Sequence, residues 1–241
     1  MEKVIYLLWA RDGEDPHTLS RRLLEDCAPV LLSLGPERLS MNLDDADAAV
    51  PPPVPDPPTG ARRLSAELCV WLDCYERREP YEEILASLPV DLAGYLVSES
   101  LYCDYGGNRH GRPRDWPDGS RSPGVLTVTL LERPARLTHH EWVAHWHGVQ
   151  SPVSEEIQPR PRYVRNQVVR ALTKDAPEFG GIVDEAWPSA ETITDPMLFY
   201  LAEGSPGTMK RNIERMLESV QGFLDLDRIH SATMSEYFLK S

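Results

Sequence analysis

A basic surplus is the first thing this chain lacks. Its 25 Lys and Arg stand against 38 Asp and Glu, a formal net charge of −13 over 241 residues. Such a balance repels phosphate backbones and anionic lipid surfaces alike, so neither nucleic acid nor membrane is an expected partner. Long apolar runs are also missing. The run near the start, VIYLLWA (4–10), falls well short of the ~20 residues that a spanning helix needs. It has neither the basic lead nor the small-residue cleavage site of a secretory leader, so it reads as a first strand in a cytoplasmic protein. Cysteine is scarce. Cys27, Cys69, Cys74 and Cys103 do not have the paired spacing of zinc knuckles and read as reduced, buried small side chains. No glycine-rich phosphate loop follows a strand, and no Gly-x-Ser-x-Gly turn presents a nucleophile. No cofactor and no metal are expected.

What is present suits a folded α+β protein: 41% hydrophobic and 26% charged residues. The stretch YGGNRHGRPRDWPDGSRSPG (105–124) cannot continue a helix or a central strand. It divides the chain into a domain over 1–106, a linker over 107–123 and a domain over 124–241. Arg109, Arg112, Arg114 and Arg121, with His110 and Trp116, sit in or beside that linker, either steering an anionic substrate or pairing with surplus acids in solvent. A proline-rich stretch, AAVPPPVPDPPTGARR (48–63), reads as a spacer or lid within the first half.

The two halves read alike. The first runs KVIYLLWA (3–10), a helix over 16–34, ERLSMNL (37–43), AELCVWLD (66–73), a helix over 80–88 and AGYLVSESLY (93–102). The second runs VLTVTLLE (125–132), a helix from 139, YVRNQVVRA (163–171), GGIVDEAW (180–187), helical stretches over 195–222 and ATMSEYFL (232–239). Both orders are β-α-β-β-α-β. DCAP (26–29) stands where VQSP (149–152) stands, at a spacing of 123 residues, as a faint internal repeat.

The stretch LTHHEWVAHWHGVQSP (137–152) holds four of the seven histidines. Thr138 followed by Glu141 is a capping box, so a helix begins at His139. Trp142, Trp146 and Val149 then share one apolar face, with His145 at its edge and His147 pointing to solvent. No two of the four histidines are four residues apart, the spacing at which two imidazoles on a helix meet one ion. A half-buried His145 suits proton transfer; the plainer reading is a boundary histidine bonded to a neighbour.

These residues carry a family resemblance. RLTHHEWVAHWHGVQSP, then YVRNQVV, then GGIVDEAWPSAE together resemble the ethyl tert-butyl ether degradation (EthD) family of the dimeric α/β-barrel superfamily. The match runs through Trp142, His145, Trp146, Val149–Pro152, Tyr163–Asn166 and Gly181–Trp187, across most of the second half. It implies two tandem ferredoxin-like domains closing a dimeric-type α/β barrel inside one chain. It also implies relatives among small cyclases, isomerases and cofactor-free monooxygenases, with haem-binding relatives besides. Gln150 stands where the family shows histidine, and Cys27 stands there in the first half. Gln exchanges no proton near neutral pH, so either His145 supplies the acid/base or the chemistry is gone.

The strand over 163–171 alternates Tyr163 and Arg165 against Asn166, and one of these faces lines an enclosed space. Two functions follow as expectations, with a haem-binding barrel protein as a distant third. One is a cofactor-independent cyclase, isomerase, decarboxylase or monooxygenase on a small hydrophobic or aromatic metabolite. In it His145 is catalytic, and Trp142, Trp146, Gln150, Tyr163, Arg165 and Asn166 hold the substrate. The other is a non-catalytic binding protein that keeps the pocket. The chain is expected as a monomeric pseudo-dimer or a homodimer.

Overall fold

The computed structural model describes residues 1–53, 62–105 and 114–241. Half of the proline-rich stretch (54–61), and Arg109, His110 and Arg112, lie outside the described residues.

Eight strands of this one chain close an antiparallel barrel. They are β1 (Glu2–Ala10), β2 (Arg38–Leu43), β3 (Ala66–Leu72), β4 (Val90–Cys103), β5 (Val125–Leu131), β6 (Arg162–Ala171), β7 (Gly181–Trp187) and β8 (His230–Lys240). Around the barrel the order is β1-β3-β2-β8-β5-β7-β6-β4. The first four strands are therefore contiguous, as are the last four, and the two sets meet at two seams. One seam pairs β2 with β8, from Leu39↔Lys240 to Leu43↔Ser235. The other pairs β4 with β6, from Tyr95↔Ala171 to Cys103↔Tyr163. Both carry register shifts, which let strands bend where a sheet must turn into a barrel. Closure leaves no sheet edge unpaired.

Strand alternation decides what lies on each side of the barrel wall. On β1, Val4, Tyr6 and Leu8 face the helices while Ile5 and Leu7 face inward, and all five are fully buried. That is why VIYLLWA is a continuous apolar run and not an alternating one. The outer face of the first half is covered by α1 (Pro16–Arg22), α2 (Ala28–Ser33) and α3 (Glu79–Ala86), whose Leu19, Leu31, Tyr81 and Leu85 fill the space beneath them. The second half carries α4 (His139–His145), α5 (Ser151–Ile157), α6 (Ala190–Thr194), α7 (Pro196–Phe199) and α8 (Pro206–Gln221). No helix among the described residues is long and apolar enough to cross a membrane.

Thr138 caps α4 as the sequence predicts. Its Oγ1 accepts from Glu141 N at 3.3 Å, and Glu141 Oε2 accepts from Thr138 N at 2.9 Å. The rest of that helix differs from expectation. Between α4 and α5 the backbone widens into one π-helical turn, Trp146–Gln150, where the Ser151 N–H reaches back five residues to the Trp146 carbonyl. One extra residue in a turn rotates everything after it by ~100°. Val149, predicted on the buried face with Trp142 and Trp146, is turned outward and is 42% exposed. Ser151 takes the buried place at 0%. The same turn draws His147 inward: it is half-buried against Trp146, not solvated as predicted. A matching π-turn, Leu23–Cys27, joins α1 to α2 in the first half and begins 123 residues earlier.

The barrel interior is apolar at one end and charged in the middle. Lys3 is 3% exposed and donates to Glu99 Oε1 at 2.9 Å and Asn166 Oδ1 at 2.8 Å. Beside it lie Glu67 and Asp184, two carboxyl groups with almost no solvent contact. Burial, and then the neighbouring Asp184 carboxylate, push the Glu67 carboxyl well above the usual carboxylate range. Asn42 Nδ2 donates to the other Glu67 oxygen at 2.6 Å.

Candidate active site between sheet and helices

A cavity of about 510 Å³ opens between the outer face of the second-half sheet and its helices. Sheet and helix each contribute for a stated reason. The odd-numbered residues of β5 and β6 and of the latter part of β7 point outward, which brings Thr129, Tyr163 and Glu185 to the floor. The π-turn presents Trp146 and Gln150 from above, because the inserted residue swings Gln150 toward the sheet. Phe199 and Tyr200 close one side, and Met216 on α8 another. Pro53 reaches the rim from the first half.

Two glycines permit the tryptophans to lie where they do. A Cβ on Gly181 would stand 2.6 Å from Trp146 Cη2, and one on Gly180 would stand 3.0 Å from Trp142 Cη2. The Gly180–Gly181 pair at the start of β7 thus makes room for two indoles tilted 47° to one another, whose ring centroids are 5.0 Å apart. Trp187 lies flat on Phe199 at 4.7 Å, and its Nε1 donates to Thr127 Oγ1 at 3.0 Å.

The polar groups of this apolar cavity are few and mostly oriented. Tyr163 is 3% exposed, and its hydroxyl oxygen accepts from Trp146 Nε1 at 3.1 Å. Ser151 Oγ donates to the Trp146 carbonyl at 2.9 Å and receives Arg165 Nη1 at 3.1 Å; it lies 3.4 Å from the Tyr163 oxygen. The phenol proton therefore has no short acceptor among the described residues, and burial pushes the Tyr163 hydroxyl up, keeping it protonated. Gln150 donates Nε2 to Met216 Sδ at 3.3 Å, while its Oε1 is enclosed without a partner. Glu185 is the carboxylate of the floor, held in place by Arg160. Together these groups can grip an oxygen-bearing, flat apolar molecule and supply one donor, one acceptor and one base.

The structure brings together Trp146, Gln150 and Tyr163 of the residues predicted for the site. Trp142 lies under them, 0% exposed. Asn166 is on the opposite face of β6, inside the barrel, where it donates Nδ2 to Asp184 at 3.1 Å. Arg165 faces the helices but is tied to Ser151 and Ser100 and stacked on Tyr102 at 4.7 Å. His145 does not line the cavity. Its Nε2 meets the Ser219 carbonyl at 2.9 Å, and its ring stacks on Phe223 at 5.6 Å. Sequence reasoning missed Glu185, Trp187, Tyr200 and Met216. Glu185 and Trp187 stood within the quoted GGIVDEAW, and only strand alternation, once its sense is known, singles them out.

No family profile matches this chain, and no curated protein matches it in sequence. Solved structures do match in fold. A protein described as anthrone oxidase-like superposes with a TM-score of 0.57 at 10% identity, over 100% of this chain and 94% of its own. A protein from Fusobacterium nucleatum subsp. nucleatum, named as a candidate monooxygenase, superposes with a TM-score of 0.51 at 10% identity, over 99% of this chain and 93% of its own. The likeness is one of fold.

Proposed function

We propose that this protein is a cofactor-independent monooxygenase-type enzyme acting on a small, flat, hydrophobic molecule that carries a carbonyl or phenol oxygen. The observation that carries the reading is the cavity itself: an indole-walled space whose lining places Tyr163, Gln150 and Glu185 where they can meet a ligand. Its size falls in the ordinary range for small-molecule sites. The names of the two structural neighbours point the same way.

In this reading Glu185 takes a proton from a CH₂ group acidified by the ring and its carbonyl. The Tyr163 hydroxyl, the donor of the site, stabilises the resulting enolate oxygen. The carbanion reacts with O₂; one oxygen atom becomes a new carbonyl and the other leaves as water with the two hydrogens of the CH₂. The EthD resemblance, the tandem ferredoxin-like arrangement and the division at 107–123 belong to the same reading. They are supported by the contiguous four-strand sets and the two π-turns 123 residues apart. His145 is then a positioning residue that fixes α4 to α8.

Anthrone, a tricyclic ketone with such a CH₂, is the first substrate to try. Oxygen uptake with quinone formation, diminished by Tyr163→Phe, is the expected result. Gln150 and Cys27 in the two places where a histidine was expected favour one second reading, a binding protein without turnover. Anthrone bound at the cavity with no oxygen consumed would establish that reading and end the first.

A further inference from the structure

A second cavity, of about 470 Å³, lies at one mouth of the barrel and shares no lining residue with the first. It forms where β2 and β6 begin and β3, β4 and β8 end. Its walls are aromatic. Trp71 and Phe238 come from β3 and β8, and Trp116 leans over from the segment before β5, edge-on to Tyr105 at 4.9 Å.

Its charges do not balance. Each carboxylate on the wall has a cation. Glu99 accepts from Lys3 at 2.9 Å and from Trp71 Nε1 at 3.1 Å; Asp104 lies 3.8 Å from Arg162; Asp118 lies 2.5 Å from Arg114. Arg162 is matched again by Glu236 at 2.7 Å. Two wall cations remain with no ion-pair partner among the described residues: Arg38, exposed at the start of β2, and Lys240, which donates only to the Pro36 carbonyl. Arg114 adds a third feature. Its guanidinium lies over the Phe238 ring at 4.1 Å, and its Nη1 is enclosed without a partner. In a chain of net charge −13 the wall itself carries four cations, Arg38, Arg114, Arg162 and Lys240, against three carboxylates, Glu99, Asp104 and Asp118.

We infer that the barrel mouth binds a small aromatic carboxylate, its ring between Trp71, Trp116 and Phe238 and its anionic group on Arg38 and Lys240. Guanidinium groups suit the planar, two-oxygen carboxylate. Indole and phenyl walls suit a flat ring more than a bare inorganic ion. The site is independent of the cavity between sheet and helices.

The test uses the whole protein and 2-naphthoate, with 2-naphthamide and inorganic phosphate as comparisons. Isothermal titration gives affinity, and indole N–H signals in ¹⁵N-labelled protein give location. Naphthoate is expected to bind one to one, at least about tenfold more tightly than the uncharged amide, through charge-assisted hydrogen bonds. The indole signals of Trp71 and Trp116 should move while those of Trp146 and Trp187 stay. The Arg38→Gln/Lys240→Gln double variant, both positions at strand ends, should lose that preference for the acid.

Equal binding of acid and amide overturns the inference, and so does no binding at millimolar naphthoate. Shifts confined to Trp146 and Trp187 overturn it by placing the ligand in the other cavity. Phosphate binding as tightly as naphthoate overturns the aromatic part. The acid–amide comparison is made on the wild type, so it stands even if the double variant fails to fold.

Discussion

The imidazole of His145 lies against the backbone of Gly222, so closely that a Cβ on that glycine would be 2.2 Å from Cε1. Gly222 has ordinary right-handed helical angles, and alanine could adopt them without strain. Contact alone forbids it. Gly222→Ala should push the ring off Phe223, break its bond to the Ser219 carbonyl and lower stability by about 1–3 kcal/mol, as overpacking does. Thermal unfolding measures this. A variant as stable as wild type would show that His145 does not hold α4 against α8.

Tyr163 and Glu185 separate binding from chemistry. Tyr163→Phe removes the acceptor for the buried Trp146 Nε1 and should cost about 1–3 kcal/mol of stability. Under the proposed reaction it should also lower kcat by about 10²-fold, the usual loss of one donor to a developing oxyanion. Glu185→Gln should bind substrate as well as wild type and turn it over far more slowly. Equal kcat values for wild type and both variants would remove these residues from the mechanism.

His147 gives an acid-side prediction. Burial, and then the nearby Arg165 cation, push it down to about 4, and its Nε2 is enclosed without a partner. The unfolded chain takes up a proton near the ordinary histidine pKa of about 6.5, while the folded protein resists until about pH 4. The unfolded state therefore binds more protons in that window, and folding should weaken as pH falls from about 6.5 to about 4. His147→Asn should flatten this part of a stability–pH curve from chemical denaturation. An unchanged slope would mean that other groups set it.

Glu67 gives the opposite sign. Its folded pKa is raised, so its contribution is complete below about 4.5, the unfolded value, and is lost as pH rises toward the folded one. Glutamine has the shape of the protonated acid and no proton to lose. Glu67→Gln should thus match wild type near pH 4 and gain on it steadily at higher pH, in parallel denaturation curves. Lys3→Met removes the cation that Asp184 and Glu99 face and should cost about 3–5 kcal/mol at neutral pH, as an orphaned buried charge does.

Much of this architecture could be read before any coordinates. Thr138 and Glu141 mark a helix start, and the apolar runs at 4–10 and 125–132 mark strands covered on both faces. The helix face was misassigned because a π-turn is one inserted residue with no composition of its own. It turned Val149 out and His147 in. The division of Tyr163 from Asn166 by the period of two was visible, but which of them met the helices was not, since both faces of the strand are buried. Lys3, Glu67 and Asp184 could not be recognised as partners, because they stand on three different strands that only closure brings together. The residues of 195–229 that roof the cavity follow no single period and gave no sign of their role.

Because eight strands of one chain close the barrel, its integrity does not follow mass action. A barrel assembled from two chains comes apart on dilution, and its sites vanish with it. Here both cavities should survive at nanomolar protein. Every substitution is also made once per barrel. One half is free to pack its helix layer solid, as Leu19, Leu31, Tyr81 and Leu85 do, while the other keeps an open space in the corresponding place.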